Sequence, residues 1–326
     1  MRTSRLLAAG TTIAAAGALA ACDPGPPADG LGGALESVPA TEDNLRLIAW
    51  TDVSAVTELG GYDEYPHPFA TAGLVGYGTL GQLTRQLDPA LLPDGGSEGA
   101  TALWVGEPPY TAFRFDGVDG EAVAGFFAEA DGESSDLADG TLLVRRGDAE
   151  VDLEDDLLPP QVLSQMNTVW FGERTFVGST HQTMVADLVE GTDESAADAE
   201  VYSGVTDCLG DVVAAELHSG DDPAPATSLA IGFSGSTEEP VATLCLRVDD
   251  PETMVETVTD QLTSGSDPST QRPWQDILGE GEVTESGDWV QVQFVDPEQP
   301  DAIYQALYGG ALPALMGAEI EDPRLG

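Results

Sequence analysis

Hydrophobic and polar positions repeat at two periods along this chain, and the switches between them mark out strands and helices. Residues 45–53 (LRLIAWTDV) form an apolar run of strand length and predict a buried first strand. Residues 101–105 and 112–118 predict a hairpin across Glu107-Pro108-Pro109. A helix follows, with Val123, Phe126, Phe127 and Ala130 at helical spacing on one face. Residues 141–145 read as another strand, and 168–171 with 175–177 flank a turn at Gly172-Glu173. The next helix carries Met184, Val185, Leu188 and Val189, and an acidic link over 191–200 leads to a short turn or helix around Cys208. Strands are predicted over 212–217, 228–233 and 241–248, then a helix with Met254, Val255, Val258 and Leu262 inward. Residues 283–285 and 289–295 predict a second hairpin. In its second strand Val290, Val292 and Phe294 alternate with Gln291 and Gln293, as in a half-buried antiparallel strand. A last helix is expected from about Pro297.

The same pattern organises the chain. Residues 70–87 have loosely helical spacing weakened by Gly73, Gly76, Gly78 and Gly81. Residues 150–160 are acidic and end at Pro159-Pro160, the best internal boundary, which divides the body into a first αβ half (37–160) and a second (161–326). Strand-to-helix junctions recur as Val118-Asp119-Gly120-Glu121, Val248-Asp249-Asp250-Pro251-Glu252 and Val295-Asp296-Pro297-Glu298. Each offers an Asp acceptor at the N-cap and an acid to the positive end of the helix. The order hairpin, helix, hairpin, helix occurs over 101–118, 121–130, 168–178 and 181–190, then over 228–248, 251–263, 283–295 and 297–308. An insertion around 140–160 interrupts the first copy. These features predict an α+β fold: antiparallel sheets with helices packed on one face, built by internal duplication of that unit.

Charge narrows the partners. The 326 residues carry 58 acidic and 11 basic side chains, a net charge of -47, and every basic residue is Arg. Nucleic acid is excluded as a partner because the phosphate-neutralising cations are missing, and docking on anionic lipid through a basic patch is disfavoured. A hydrophobic content of 41% is enough for real cores, so the chain is not disordered throughout.

The first 22 residues say where the protein goes. Arg2 and Arg5 precede an apolar run too short for a comfortable membrane span, and the run closes with Leu19-Ala20-Ala21-Cys22. That ending resembles the lipobox of bacterial lipoproteins. The resemblance implies cleavage of a signal peptide, residues 1–21, and acylation of Cys22 by diacylglyceryl and palmitate groups. It implies a chain held by its lipid anchor on the extracytoplasmic face of the cell membrane. The loss of Arg2 and Arg5 leaves nine Arg against 58 acids, or -49. Residues 22–36, with the Pro/Gly/Asp-rich stretch DPGPPADGLGGALE, are expected to be a flexible tether, with the folded part beginning at Ser37-Val38-Pro39.

With Cys22 acylated, Cys208 and Cys245 remain, and an exported protein most simply pairs them as a disulfide. Two acidic groups, Asp152-Glu154-Asp155-Asp156 and Asp131-Glu133-Asp136-Asp139, could be imagined around a hard cation. Neither has the EF-hand spacing, and a solvated surface is the simpler reading, so no metal and no cofactor are expected.

Catalytic signatures are equally scarce. Gly232-Phe233-Ser234-Gly235-Ser236 approaches a nucleophile elbow but sits between strands and lacks the second Gly in register. Without Lys there is no Ser-Lys dyad, Schiff base or P-loop. His67 lies between two prolines, His181 opens a helix near Ser179, and His218 ends a strand; none is expected to be catalytic. Tyr62, Tyr65, Phe69 and Tyr77 cluster in a Gly/Pro-rich region, as a core lid or a stacking surface. The body also resembles a loosely defined family of exported proteins with repeated αβ halves and no agreed activity. Residues 171–179 (FGERTFVGS) carry that resemblance, together with Tyr202-Ser203-Gly204-Val205 after a helix. The resulting expectation is a non-enzymatic, membrane-anchored binding or interaction module whose protein or small-molecule partner is open. The alternatives are a transporter's solute-binding lipoprotein, which needs βαβ alternation, and an extracytoplasmic hydrolase using paired carboxylates.

Overall fold

The computed structural model describes residues 30–62, 67–153, 155–220, 225–295 and 301–318. Twelve strands form one sheet: β1 (Leu47–Asp52), β2 (Thr101–Val105), β3 (Ala112–Asp116), β4 (Glu133–Leu137), β5 (Gly140–Val144), β6 (Thr168–Phe171), β7 (Thr175–Ser179), β8 (Ala214–Ser219), β9 (Ser228–Gly235), β10 (Pro240–Arg247), β11 (Gly281–Ser286) and β12 (Trp289–Val295). Their order is β11-β12-β10-β9-β8-β1-β2-β3-β7-β6-β5-β4, and every paired neighbour is antiparallel. The α+β class with an antiparallel sheet follows directly.

That order holds a near-repeat. Outward from the central β1/β8 pair, one side reads β1, β2, β3, β7, β6 and the other β8, β9, β10, β12, β11. In each half three strands are laid down in sequence and the next hairpin adds on with its second strand innermost. The hairpin β4–β5 extends the first half alone, so the extra residues begin at Glu133, earlier than the hydrophobic pattern suggests. Strands β6 and β7 bond to β5 and β3, so the topological midline falls after β7 and not at Pro159-Pro160.

Helices cover both faces of the sheet, where the sequence pattern led us to expect one. On the first face lie α3 (Val53–Glu58), α4 (Ala72–Val75), α5 (Gly120–Phe126), α8 (Pro251–Ser264), α9 (Trp274–Leu278), α10 (Ala302–Tyr308) and α11 (Leu312–Leu315). The second face carries α1 (Gly30–Glu36), α2 (Glu42–Arg46), α6 (Gln182–Glu190) and α7 (Val205–Leu209). Consecutive residues enter opposite cores: Ala102 and Trp104 face the first, Leu103 and Val105 the second. A strand covered on both sides is largely apolar, which is why β1, β2 and β9 read as hydrophobic runs with polar residues mainly at their ends. Burial of each large side chain, such as Trp104, Phe113 or Phe176, stabilises by about 1.5–3 kcal/mol.

Three further expectations change. Residues 30–36 are helix α1, with Leu31 and Leu35 buried in the second core, so the tether ends earlier than residue 36. Two apolar side chains one turn apart give that Gly-rich stretch a face to bury. The helix expected from about Pro297 is α10, which begins at Ala302 and is followed by α11, and the junction at Asp296-Pro297 lies outside the described residues. Around residues 70–87, glycines do more than weaken a helix. A Cβ on Gly76 would stand 2.1 Å from the Ala102 carbonyl oxygen, so only glycine lets α4 end against β1 and β2. Gly78 has φ +52° and lies against the Trp104 ring.

Candidate functional site

Cys22 lies outside the described residues. Cys208 on α7 and Cys245 on β10 are joined by a disulfide in the second core, both fully buried. Gln291 on β12 donates its side-chain N–H to the Cys208 carbonyl oxygen, tying α7 to a third element.

The histidines are engaged in local structure. His67 Nδ1 accepts the Phe69 backbone N–H at 3.2 Å. His181 lies 2.8 Å from Thr180 Oγ1 through Nδ1 and stacks on Tyr110 with ring centroids 4.5 Å apart. Ser179 meets the backbone N–H of His181 rather than its ring, and donates its own hydroxyl to the Thr111 carbonyl oxygen at 2.7 Å. That arrangement positions the α6 start; it does not activate a nucleophile. The stretch from Gly232 to Gly235 runs inside β9, with Phe233 buried.

The acidic groups divide between structure and surface. Asp155 pairs with Arg145, and both side chains are almost wholly buried. Arg145 also lies over the Phe127 ring, 5.7 Å from its centroid. Burial pushes the Arg145 guanidinium below its ordinary value, against the pull of Asp155. Asp152 pairs with Arg146 at 2.8 Å, and Glu154 lies outside the described residues. Glu133 and Asp136 lie along the exposed edge strand β4, where charge discourages pairing with another chain. Among the described residues, no three His, Cys, Asp or Glu side chains are grouped to hold a metal ion.

Tyr62, Phe69 and Tyr77 pack as part of the fold. Tyr62 Oη donates to the Gly73 carbonyl oxygen at 2.8 Å, Phe69 is buried, and Tyr77 lies 5.2 Å from the Phe115 ring. Burial pushes the Tyr77 hydroxyl up to about 12, with Tyr62 drawing it back. Tyr65 lies outside the described residues.

A groove open to solvent lies at the end of the first half. Phe171 lies in it, with Asp119, Glu121, Asp139, Glu173 and Arg174 around it. A second concentration of ionisable groups lies between β8 and α10. Glu216, in the run Ala214–Ser219, is 3% exposed and points into the first face. Its carboxylate meets His218 and Tyr308, beside Tyr304. The sequence signal for it was the alternation Ala214, Glu216, His218, which puts an acid where a core residue belongs.

No family model and no curated protein matches the chain. Solved structures do. Crystal form I of TP0453 aligns with a TM-score of 0.44 at 10% identity, over 84% of this chain and 97% of that one. Form III gives 0.42 at 9%, over 82% and 96%. Form IV gives 0.40 at 9%, over 83% and 96%. At this level of likeness no residue role passes from one chain to the other.

Proposed function

We propose that this protein is an extracytoplasmic lipoprotein, held on the cell membrane through acyl groups on Cys22, whose folded body is a non-enzymatic binding or interaction module. The observation that carries this reading is Leu19-Ala20-Ala21-Cys22 at the end of a short apolar run behind Arg2 and Arg5. The buried Cys208–Cys245 disulfide suits an oxidising compartment outside the cytoplasm. No helix among the described residues is long and apolar enough to cross a membrane. Helix α1 begins at Gly30, so the chain from Cys22 to the folded body reaches under about 30 Å even fully extended. The body would therefore work close to the headgroups. The histidines and Ser179, engaged in local structural contacts, support a binding role over a catalytic one.

Cell fractionation tests the anchor. The Cys22→Ala variant should leave the salt-washed membrane fraction and appear in the soluble one, while the wild type stays. Equal retention of both proteins would refute acylation at Cys22 as the anchor.

A further inference from the structure

Glu216 breaks the pattern of the sheet's centre. Its cross-strand neighbours are Ala49 on β1 and Ile231 on β9, and those of His218 are Leu47 and Leu229. An acid in such surroundings needs partners of its own. Glu216 Oε1 lies 2.6 Å from His218 Nε2 and accepts the Tyr308 hydroxyl at 2.7 Å. Tyr304, one turn before Tyr308, has its hydroxyl buried beside the Glu216 carboxylate. Its ring stacks between Phe233, at 5.3 Å, and Tyr308, at 6.1 Å. Burial of Tyr304, and of the hydroxyl end of the otherwise exposed Tyr308, pushes both hydroxyls above the ordinary tyrosine value, and the Glu216 carboxylate pushes them the same way, so both stay protonated. Glu107, beyond β2, adds to the effect at Tyr308. Helix α2, which also packs against β8, carries Glu42, Asp43 and Arg46 on the second face, and β1, β9 and the uncharged helix α4 bring no further titratable group against Glu216.

The helices above this site have no charge with which to hold on. Residues 302–318 contain no Asp, Glu, Lys, Arg or His, in a chain with 58 acids. Among the described residues, the polar attachment of α10 to the sheet converges on Glu216, which accepts the Tyr308 hydroxyl and lies beside that of Tyr304. The rest of the attachment is apolar, through Ile303, Tyr304, Leu312 and Leu315. The repeat explains the placement. The helix after β7 packs on the second face, whereas the helix after β12 crosses to the first and covers Phe233.

We propose that Glu216 is an acid-sensitive latch for the C-terminal helix α10: its carboxylate holds α10 through Tyr308, and protonation loosens α10 on the sheet. A hydrogen bond to an ionised acceptor is about twice as strong as one to a neutral acceptor, so protonation of Glu216 weakens the Tyr308 bond. Loosening of α10 opens the cover over Phe233, which makes the dynamics of the first face depend on pH.

Hydrogen exchange of the full-length protein, followed by mass spectrometry from pH 7.5 to 4 and corrected for intrinsic rates, tests the latch. The peptide spanning α10 and α11 is compared with that spanning α6, which packs on the opposite face. In the wild type the protection of α10 relative to α6 should fall by about tenfold between the two ends of that pH range. Tyr308 is 69% exposed, so Tyr308→Phe should fold, lose about tenfold in α10 protection at pH 7 and respond weakly to acid. Glu216→Gln, which cannot ionise, should show no pH response. An unchanging α10-to-α6 ratio in the wild type overturns the proposal, as does the same acid response in Tyr308→Phe. Neither outcome bears on the anchor at Cys22, which is read from membrane retention alone.

Discussion

Arg145 shows how a single side chain can commit a whole loop. It ends the strand β5 and turns into the first core, where it meets Asp155, the Met166 carbonyl oxygen and the Phe127 ring. Its Nε has no partner, so the pair with Asp155 is what makes burial of the cation tolerable. Asp155 lies in the irregular stretch that leads to Leu158, Val162 and Leu163, all buried in the first core. The Asp155→Ala variant strands the guanidinium without its counter-charge and should lose about 3–5 kcal/mol of stability. Urea denaturation checks this, as a lowered midpoint with an unchanged slope. A loss under about 1 kcal/mol would mean that the loop is held by its leucines alone.

Elements here are fastened at their ends. Asp119 accepts the backbone N–H groups of Glu121 and Ala122 to start α5, and Asp250 accepts that of Thr253 to start α8, as the Asp-Gly and Asp-Asp-Pro junctions suggest. The Thr253 hydroxyl and backbone N–H hold the Asp250 carboxyl below its ordinary value. The cap therefore contributes above the ordinary aspartate range and is lost as pH falls through the lowered one. Helix α7, five residues long, is too short to persist by its own hydrogen bonds, and Cys208 fastens it to β10 instead. The bridge spans a sequence separation of 37 residues. The paired substitution Cys208→Ala, Cys245→Ala should cost about 3–4 kcal/mol in the chain-entropy account. Hydrogen exchange should show α7 losing protection before the strands do, and an α7 as protected as β10 in the variant would contradict this role.

For the molecule as a whole, charge is the dominant condition. A net charge of -47 over a chain with 11 arginines leaves many carboxylates with only each other as near neighbours. Screening length falls from about 10 Å at 0.1 M salt to about 3 Å at 1 M, which weakens repulsion between such neighbours. The melting temperature should therefore rise gradually from low salt to molar NaCl, equally in KCl, with Ca²⁺ no better than Mg²⁺. Calorimetry across that range checks this. A flat response removes screening as a factor, and a sharp rise at low Ca²⁺ alone would reveal a dedicated site.

Features set by neighbours in sequence were legible before the fold was known. The apolar runs located most strands because burial on both faces leaves few polar positions. The Asp junctions located the α5 and α8 starts because a cap is made within four residues. The two remaining cysteines pointed to each other because an exported chain has few other uses for them. What escaped was decided by contacts distant in sequence. Strand β4 (ESSDL) has no hydrophobic signal and pairs only because β5 offers it an edge. Helix α1 looked like a tether because its two leucines gain a partner only once the second face exists. The choice of face for α10 lies in no local pattern, since its apolar side suits either core. Glu216 and Tyr308 stand 92 residues apart, and only the packing of α10 over β8 turns a misplaced acid and an ordinary tyrosine into one hydrogen-bonded site.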